Sequence, residues 1–194
     1  MDSMTQVLEE SVMQMQSLLG DIAGISWAVP AGDVEWSCRD TAVHVADDLF
    51  SYASQVIAQP QDSYLPIDIV IDPNATNCQI LETIAMCGRV LGQAVENAHP
   101  QARGWHPFGV SDGPGFAAMG AVEVLAHTYD IARGLGLEWK PPATLCGSLL
   151  NRLFPRSPDG DPTAVFLYCC GRASLGEHPR LEEWAWDPSV PASS

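Results

Sequence analysis

The middle of the chain reads Gly120-Ala121-Val122-Glu123-Val124-Leu125-Ala126-His127-Thr128-Tyr129-Asp130-Ile131-Ala132-Arg133-Gly134. The stretch is predominantly apolar, as expected of a helix that packs in a core, yet it carries a carboxylate and an imidazole four residues apart. On an α-helix that spacing places Glu123 and His127 on one face, about one turn apart. Val122, Leu125 and Ala126 mark the predicted buried side, and the two polar residues lie along its border.

A carboxylate at the border of a core needs a partner, because burying an unpaired charge is very costly. A divalent metal ion is one such partner, and it needs a further ligand from elsewhere in the chain. His44, on a second predicted helix, is the best candidate. Two histidine nitrogens and one carboxylate oxygen suit zinc first, with nickel or iron as alternatives, and leave positions open for water or substrate. In the competing interpretation His44 is a packed or capping residue and Glu123 simply faces water.

Two aspartates accompany these candidate ligands and are the predicted catalytic residues. Asp48 lies one turn past His44 and could accept a hydrogen bond from an imidazole or act as a base. Asp130 lies three residues past His127, where it could hold the second imidazole nitrogen or pair with Arg133. For both aspartates a solvent-exposed helix face is an equally open alternative.

Two further side chains are predicted to bind substrate. His106 lies in a loop rich in glycine, proline and aromatic residues, where it lines the mouth of a cleft or serves the loop itself. Arg172 follows an apolar segment, where it is either an anion-binding group for a substrate or a plain surface charge. No glycine-rich phosphate loop occurs in the sequence.

The hydrophobic periodicity predicts an all-α protein in one domain over residues 1–194. Helices are expected at about 2–23, from a Ser37 cap to before Gln59, 77–97, 115–133 and 143–154. The segment 163–170 is short and apolar, and it is read either as a strand in a C-terminal extension or as a buried helical turn. Residues 174–194 are expected to form a tail in which Trp184 and Trp186 pack back on the domain.

Composition excludes several classes of partner. With 24 acidic and 9 basic residues the formal net charge is −15, and no basic stripe is present for nucleic acid or an anionic membrane. There is no secretory signal and no transmembrane run, so we expect a cytoplasmic protein. A small-molecule substrate is the expected partner, and a homodimer stays open. The six cysteines have no zinc-finger spacing and are expected to be buried apolar residues.

Several segments resemble the actinobacterial group related to mycothiol-dependent maleylpyruvate isomerase, within the DinB-like superfamily. The resemblance lies in Trp27-Ala28-Val29-Pro30 and Glu35-Trp36-Ser37-Cys38-Arg39-Asp40-Thr41-Ala42-Val43-His44, then Pro107-Phe108-Gly109, the segment His127-Thr128-Tyr129-Asp130-Ile131-Ala132-Arg133-Gly134-Leu135-Gly136, and Leu167-Tyr168-Cys169-Cys170-Gly171-Arg172. It covers nearly the whole chain. Cys38 and Thr41 depart from the group's usual apolar residues, and position 123 is Glu where the nearest subgroup often has Asp.

The resemblance implies an up-and-down four-helix bundle with a divalent metal at one end of its core. It maps the metal ligands onto His44, Glu123 and His127. Characterised relatives are thiol-dependent isomerases or S-transferases that use mycothiol, bacillithiol or glutathione as a low-molecular-weight thiol. The implied function is thus a metal-dependent thiol transferase or isomerase acting on a small electrophile. The alternative is a metal-binding or small-molecule-binding protein without turnover on the same scaffold.

Overall fold

The computed structural model describes residues 3–190, and this part of the chain is helical throughout, without a strand. The six helices are α1 (Met4–Gly20), α2 (Cys38–Ala58), α3 (Asn77–Asn97), α4 (Gly113–Gly134), α5 (Ala143–Leu153) and α6 (Pro162–Cys169). The all-α prediction is therefore confirmed for the described residues. The predicted start of the first helix at Asp2 lies outside them.

The helix ends follow local capping chemistry. The side chain of Ser37 accepts a hydrogen bond from the backbone N–H of Asp40, as the capping pattern predicts, and α2 begins at the next residue. Asp112 caps α4 in the same way, so this helix begins at Gly113, two residues before the expected start. After α4 the chain turns at Gly136, whose φ of 71° lies in the left-handed region that favours glycine.

The apolar segment near the C-terminus is helix α6, so the strand alternative for this segment is wrong. Asp161 accepts a hydrogen bond from the N–H of Ala164, and Pro162 occupies the first turn, where its missing N–H is tolerated. The segment packs on α5 and is buried on several sides, which accounts for the absence of a one-sided hydrophobic stripe in its sequence. The tail packs back as predicted, since Trp186 is buried and Trp184 is partly buried.

Helix α4 lies at the centre of the molecule. It packs against α1, α2, α3 and α5, and nearly all of its residues are buried, polar ones included. The border position predicted for Glu123 and His127 is therefore wrong, because no side of the helix is left to face solvent at these positions. One continuous hydrophobic core joins residues of all six helices.

Five cysteines are buried as predicted, and Cys78 is exposed. Within residues 3–190, no helix has both the length and the apolar character needed to cross a membrane.

The last turn of α4 is in close contact with the segment that leads into α2. A Cβ atom at Gly134 would collide with the backbone oxygen of Pro30 and lie 2.7 Å from the Cys38 sulfur. The Cys38 thiol also lies 3.8 Å from the carbonyl oxygen of Ile131. This contact fixes the start of α2 against the end of α4, and thereby sets the level of His44 relative to His127.

Substituting Gly134 with Ala should therefore destabilise the protein. We expect the free energy of unfolding to fall by about 1–3 kcal/mol, because the added methyl group meets backbone atoms that cannot move aside. Gly20→Ala is the matched control, since nothing lies within 4 Å of a Cβ at Gly20. Its stability should stay the same or rise by up to about 1 kcal/mol from the better helix propensity of Ala. Equal stabilities of the two variants in chemical denaturation would contradict this account.

Candidate metal centre

The three predicted ligands meet in the structure. The candidate ligand atoms of His44, Glu123 and His127 all lie within 4.8 Å of one another. The rings of the two histidines are 5.3 Å apart between centroids, and Nε2 of His127 lies 3.3 Å from Oε2 of Glu123. Two ligands at about 2.1 Å from one tetrahedral zinc ion are themselves separated by about 3.4 Å. This buried cluster could therefore hold a metal ion.

The chemistry of the surrounding residues fits a metal ion as well. Nδ1 of His127 lies 3.0 Å from Oδ2 of Asp130, which fixes the ring so that Nε2 faces Glu123. A carboxylate behind an imidazole is the usual support of a histidine ligand. Of the alternatives for Asp130, holding the second nitrogen of His127 is confirmed, whereas Arg133 pairs with Asp33 at 2.8 Å. The solvent-exposed alternative for Asp130 is wrong, because its side chain is only 2% exposed.

Arg172 binds the other side of Asp130. Its Nη2 donates to Oδ2 of Asp130 at 2.8 Å, and its Nε lies 3.3 Å from both carboxylate oxygens. The side chain is 9% exposed, so Arg172 is not a plain surface charge. Its guanidinium also lies 5.3 Å from the centre of the Trp184 ring. The guanidinium of Arg172 thus has its partners within the protein, and in this position it holds the carboxylate of Asp130 in place. Its role in binding substrate stays a prediction.

The open side of the cluster is formed by His44 and Asp48. Nε2 of His44 lies 3.0 Å from Oδ2 of Asp48, and the two side chains are 32% and 20% exposed. Glu123 and His127 are more deeply buried, at 11% and 8%. The side of α2 that carries His44 and Asp48 is therefore the part of the cluster most open to solvent. The contact with His44 was one of the predicted alternatives for Asp48.

Sequence reasoning missed two aromatic residues at the centre. The Tyr52 hydroxyl lies 3.4 Å from Oε1 of Glu123, and Tyr52 itself is buried. The sequence spacing could have identified Tyr52, because it lies two turns past His44 and one turn past Asp48 on the same face of α2. Trp36 packs edge-on against His44 at 4.6 Å between ring centroids. It comes from the loop before α2, where helical periodicity offers no signal.

His106 lies beside the cluster but is buried in an aromatic group. It is 5% exposed and packs against Tyr52, Tyr64, Phe108 and Trp186, with ring centroids 5.2–6.2 Å away. Its Nδ1 accepts a hydrogen bond from the N–H of Phe108 at 3.1 Å, which confirms the interpretation that it serves its loop. Burial lowers the pKa of His106 to about 4, so the ring is neutral at physiological pH. Its role in substrate binding stays a prediction.

The ionisable groups of the cluster shift one another's pKa values. Burial alone would lower the pKa of His127, but the hydrogen bonds that its ring donates to Asp130 and Glu123 outweigh burial and raise the pKa to about 9. Burial opposes ionisation of Glu123 too, yet its contact with His127 holds the carboxyl pKa below its usual value. Burial, reinforced by the charge of Glu123, raises the pKa of Asp48 to about 6. Without a cation, His127 is therefore an imidazolium between two carboxylates.

No model of a known protein family matches the chain, and no curated protein sequence matches it significantly. Membership of the DinB-like superfamily therefore remains a proposal. The support for the metal centre is the geometry of its residues.

Metal uptake should release a proton from His127. A histidine ligand must be neutral, and the pKa of about 9 means that His127 carries a proton at pH 7.5. We expect calorimetric titration of the metal-free protein with zinc at pH 7.5, in buffers of different ionisation enthalpy, to give at least about one proton released per ion. The part of this release that comes from His127 should disappear at about pH 10, above its pKa, where only the proton lost by a zinc-bound water remains. A heat of binding that does not depend on the buffer at pH 7.5 would contradict this assignment.

Proposed function

We propose that the protein is a divalent-metal-dependent enzyme that activates a thiol for attack on a small electrophilic molecule, giving S-transfer or isomerisation. The observation that carries the proposal is the convergence of His44, Glu123 and His127 at one point, with an open side. The thiol and the DinB-like four-helix arrangement come from the sequence resemblance. When bound, the cation would act as a Lewis acid that lowers the pKa of a thiol in contact with it.

The residues of the chain divide the remaining tasks between them. His44, Glu123 and His127 would hold the ion, and Asp130 keeps Nε2 of His127 directed toward it. Tyr52 contacts the second oxygen of Glu123 and so restricts the rotation of that carboxylate. Arg172 balances the charge of Asp130 and leaves that aspartate ionised, which supports an orienting role for Asp130 rather than proton transfer.

Asp48 is the proposed acid–base group. It lies on the open side of the cluster, with Oδ2 3.0 Å from Nε2 of His44, where a carboxylate can accept and return a proton. In the proposed reaction Asp48 takes the thiol proton while the sulfur forms a bond to the electrophilic carbon. In a transfer, the leaving group departs with its bonding pair and receives that proton. In an isomerisation, the sulfur adds to one carbon of a double bond, and the π pair moves onto the oxygen of a conjugated carbonyl group. After rotation about the resulting single bond, that pair re-forms the double bond, the sulfur leaves with its bonding pair, and it recovers the proton from Asp48.

The experiment compares metal content and thiol-dependent turnover in three proteins. The wild type should bind about one zinc per chain and should lose and regain activity with chelation and zinc, in the presence of mycothiol, bacillithiol or glutathione. His44→Ala removes one ligand and should lose both metal and activity. His99→Ala is the matched control, because His99 is an exposed histidine outside the cluster, and it should keep both.

Two outcomes would overturn parts of the proposal. If the wild type holds no metal, or if His44→Ala holds as much as His99→Ala, the metal centre is wrong. If metal binds at this site but no thiol supports turnover of any electrophile tested, the enzymatic part is wrong. The alternative of a metal-binding protein without turnover would then be favoured.

A further inference from the structure

We infer that the ligand which this site accepts beside the cation is an aromatic molecule that carries no negative charge apart from the group that binds the ion. The inference rests on the metal site proposed above and adds the chemical class of the molecule that binds there. Two independent features of the cluster support it, namely its balance of charge and the side chains around it.

The arginine at the cluster is already paired with a carboxylate of the protein. In residues 3–190, Arg172 is the one arginine or lysine that hydrogen-bonds a carboxylate of the cluster, and it is held by Asp130. The other arginines that have side-chain partners bind Asp33, Asp112 or loop carbonyls. Within residues 3–190, no arginine or lysine forms an ion pair or a hydrogen bond with His44, Asp48 or Glu123.

A bound divalent ion would leave no excess of positive charge. Its two charges and the one of Arg172 balance the carboxylates of Asp48, Glu123 and Asp130. A ligand that binds the ion through one anionic atom already makes the site negative. A second negative charge on the ligand would lie unpaired next to Asp48, in a chain whose net charge is −15. The site thus disfavours dianionic ligands such as dicarboxylates.

Two aromatic side chains contact the proposed ligands, and one of them, Trp36, is partly open to solvent. Trp36 covers one edge of His44 at 4.6 Å and is 46% exposed. On the Glu123 side, Tyr52 leads to His106, around which Tyr64 and Phe108 pack at 6.2 and 5.2 Å. Tyr52 and His106 are buried, and the exposed ring of Phe108 is linked to Glu123 only through them. Exposed rings beside a reactive centre offer stacking and edge-to-face contacts to a planar, apolar ligand.

The test uses four probes that share one metal-binding group, so that it does not depend on thiol chemistry. Benzohydroxamic acid is the aromatic parent. Its 4-carboxylate adds a charge, its 4-carboxamide adds the same bulk without a charge, and cyclohexanecarbohydroxamic acid removes the aromatic ring. Binding is measured on the cobalt-loaded protein from the visible spectrum of the ion.

The parent and the carboxamide should bind within about threefold of each other, and the carboxylate at least about tenfold more weakly, because its charge is unpaired. The cyclohexane probe should bind about three- to tenfold more weakly than the parent, because it loses the aromatic contacts. Trp36→Ala should abolish the preference for the aromatic probe, and Trp36→Phe should keep it. Ile57→Ala, a 66%-exposed position on the same helix as His44, should change nothing.

The outcomes separate this inference from the proposed function. If the carboxylate binds as well as the carboxamide, or if the cyclohexane probe equals the parent, the inference is overturned although the metal site stands. An unchanged aromatic preference in Trp36→Ala would overturn it as well. If no cobalt spectrum forms, the metal site fails and this inference with it. If the expected preferences appear but no thiol supports turnover, the inference holds and the enzymatic proposal fails.

Discussion

A carboxylate and an imidazole lie among the buried residues of the central helix α4, and the rest of the site follows from that constraint. Glu123 and His127 could not remain charged inside α4 without partners, since burial disfavours the charged form of each. The structure supplies partners on both sides of His127, with Asp130 behind it and Glu123 in front. In the absence of a cation, the two carboxylates stabilise the proton on His127. When a cation binds, His127 loses this proton and becomes a ligand together with Glu123.

The site also depends on how α2 is fixed to α4. The absence of a side chain at Gly134 lets the backbone near Pro30 and the thiol of Cys38 approach the last turn of α4. The second turn of α2 then lies beside His127, and the face that carries His44, Asp48 and Tyr52 is directed at Glu123 and its neighbours. Helix packing and ligand geometry are thus set by the same contact, and the loop before α2 adds Trp36 over the exposed edge of His44.

Much of this arrangement could be predicted from the sequence because it is local. Capping by Ser37 and the periodic stripes located α2 and α3 to within a residue, and the four-residue spacing selected Glu123 and His127. The secondary structure of the short apolar segment at α6 could not be predicted, because its sequence lacks a one-sided hydrophobic pattern. Its helical conformation is determined by the Asp161 cap and by packing. The partner of Arg172 and the position of Trp36 depend on contacts between distant segments, which no spacing encodes. The full burial of α4 was missed because a polar pair in a sequence suggests a solvent-facing border.

The aromatic and electrostatic surroundings give this centre its own chemical character. The one arginine that contacts a cluster carboxylate in the described residues is bound to Asp130, and the exposed ring of Trp36 packs against His44. The proposed site requires that one cation contacts His44, Glu123 and His127. The most direct measurement is an anomalous difference map, recorded at the zinc edge, from a crystal of the zinc-loaded protein. The account predicts one peak within bonding distance of all three side chains. A strong peak elsewhere, with no peak between these residues, would contradict it.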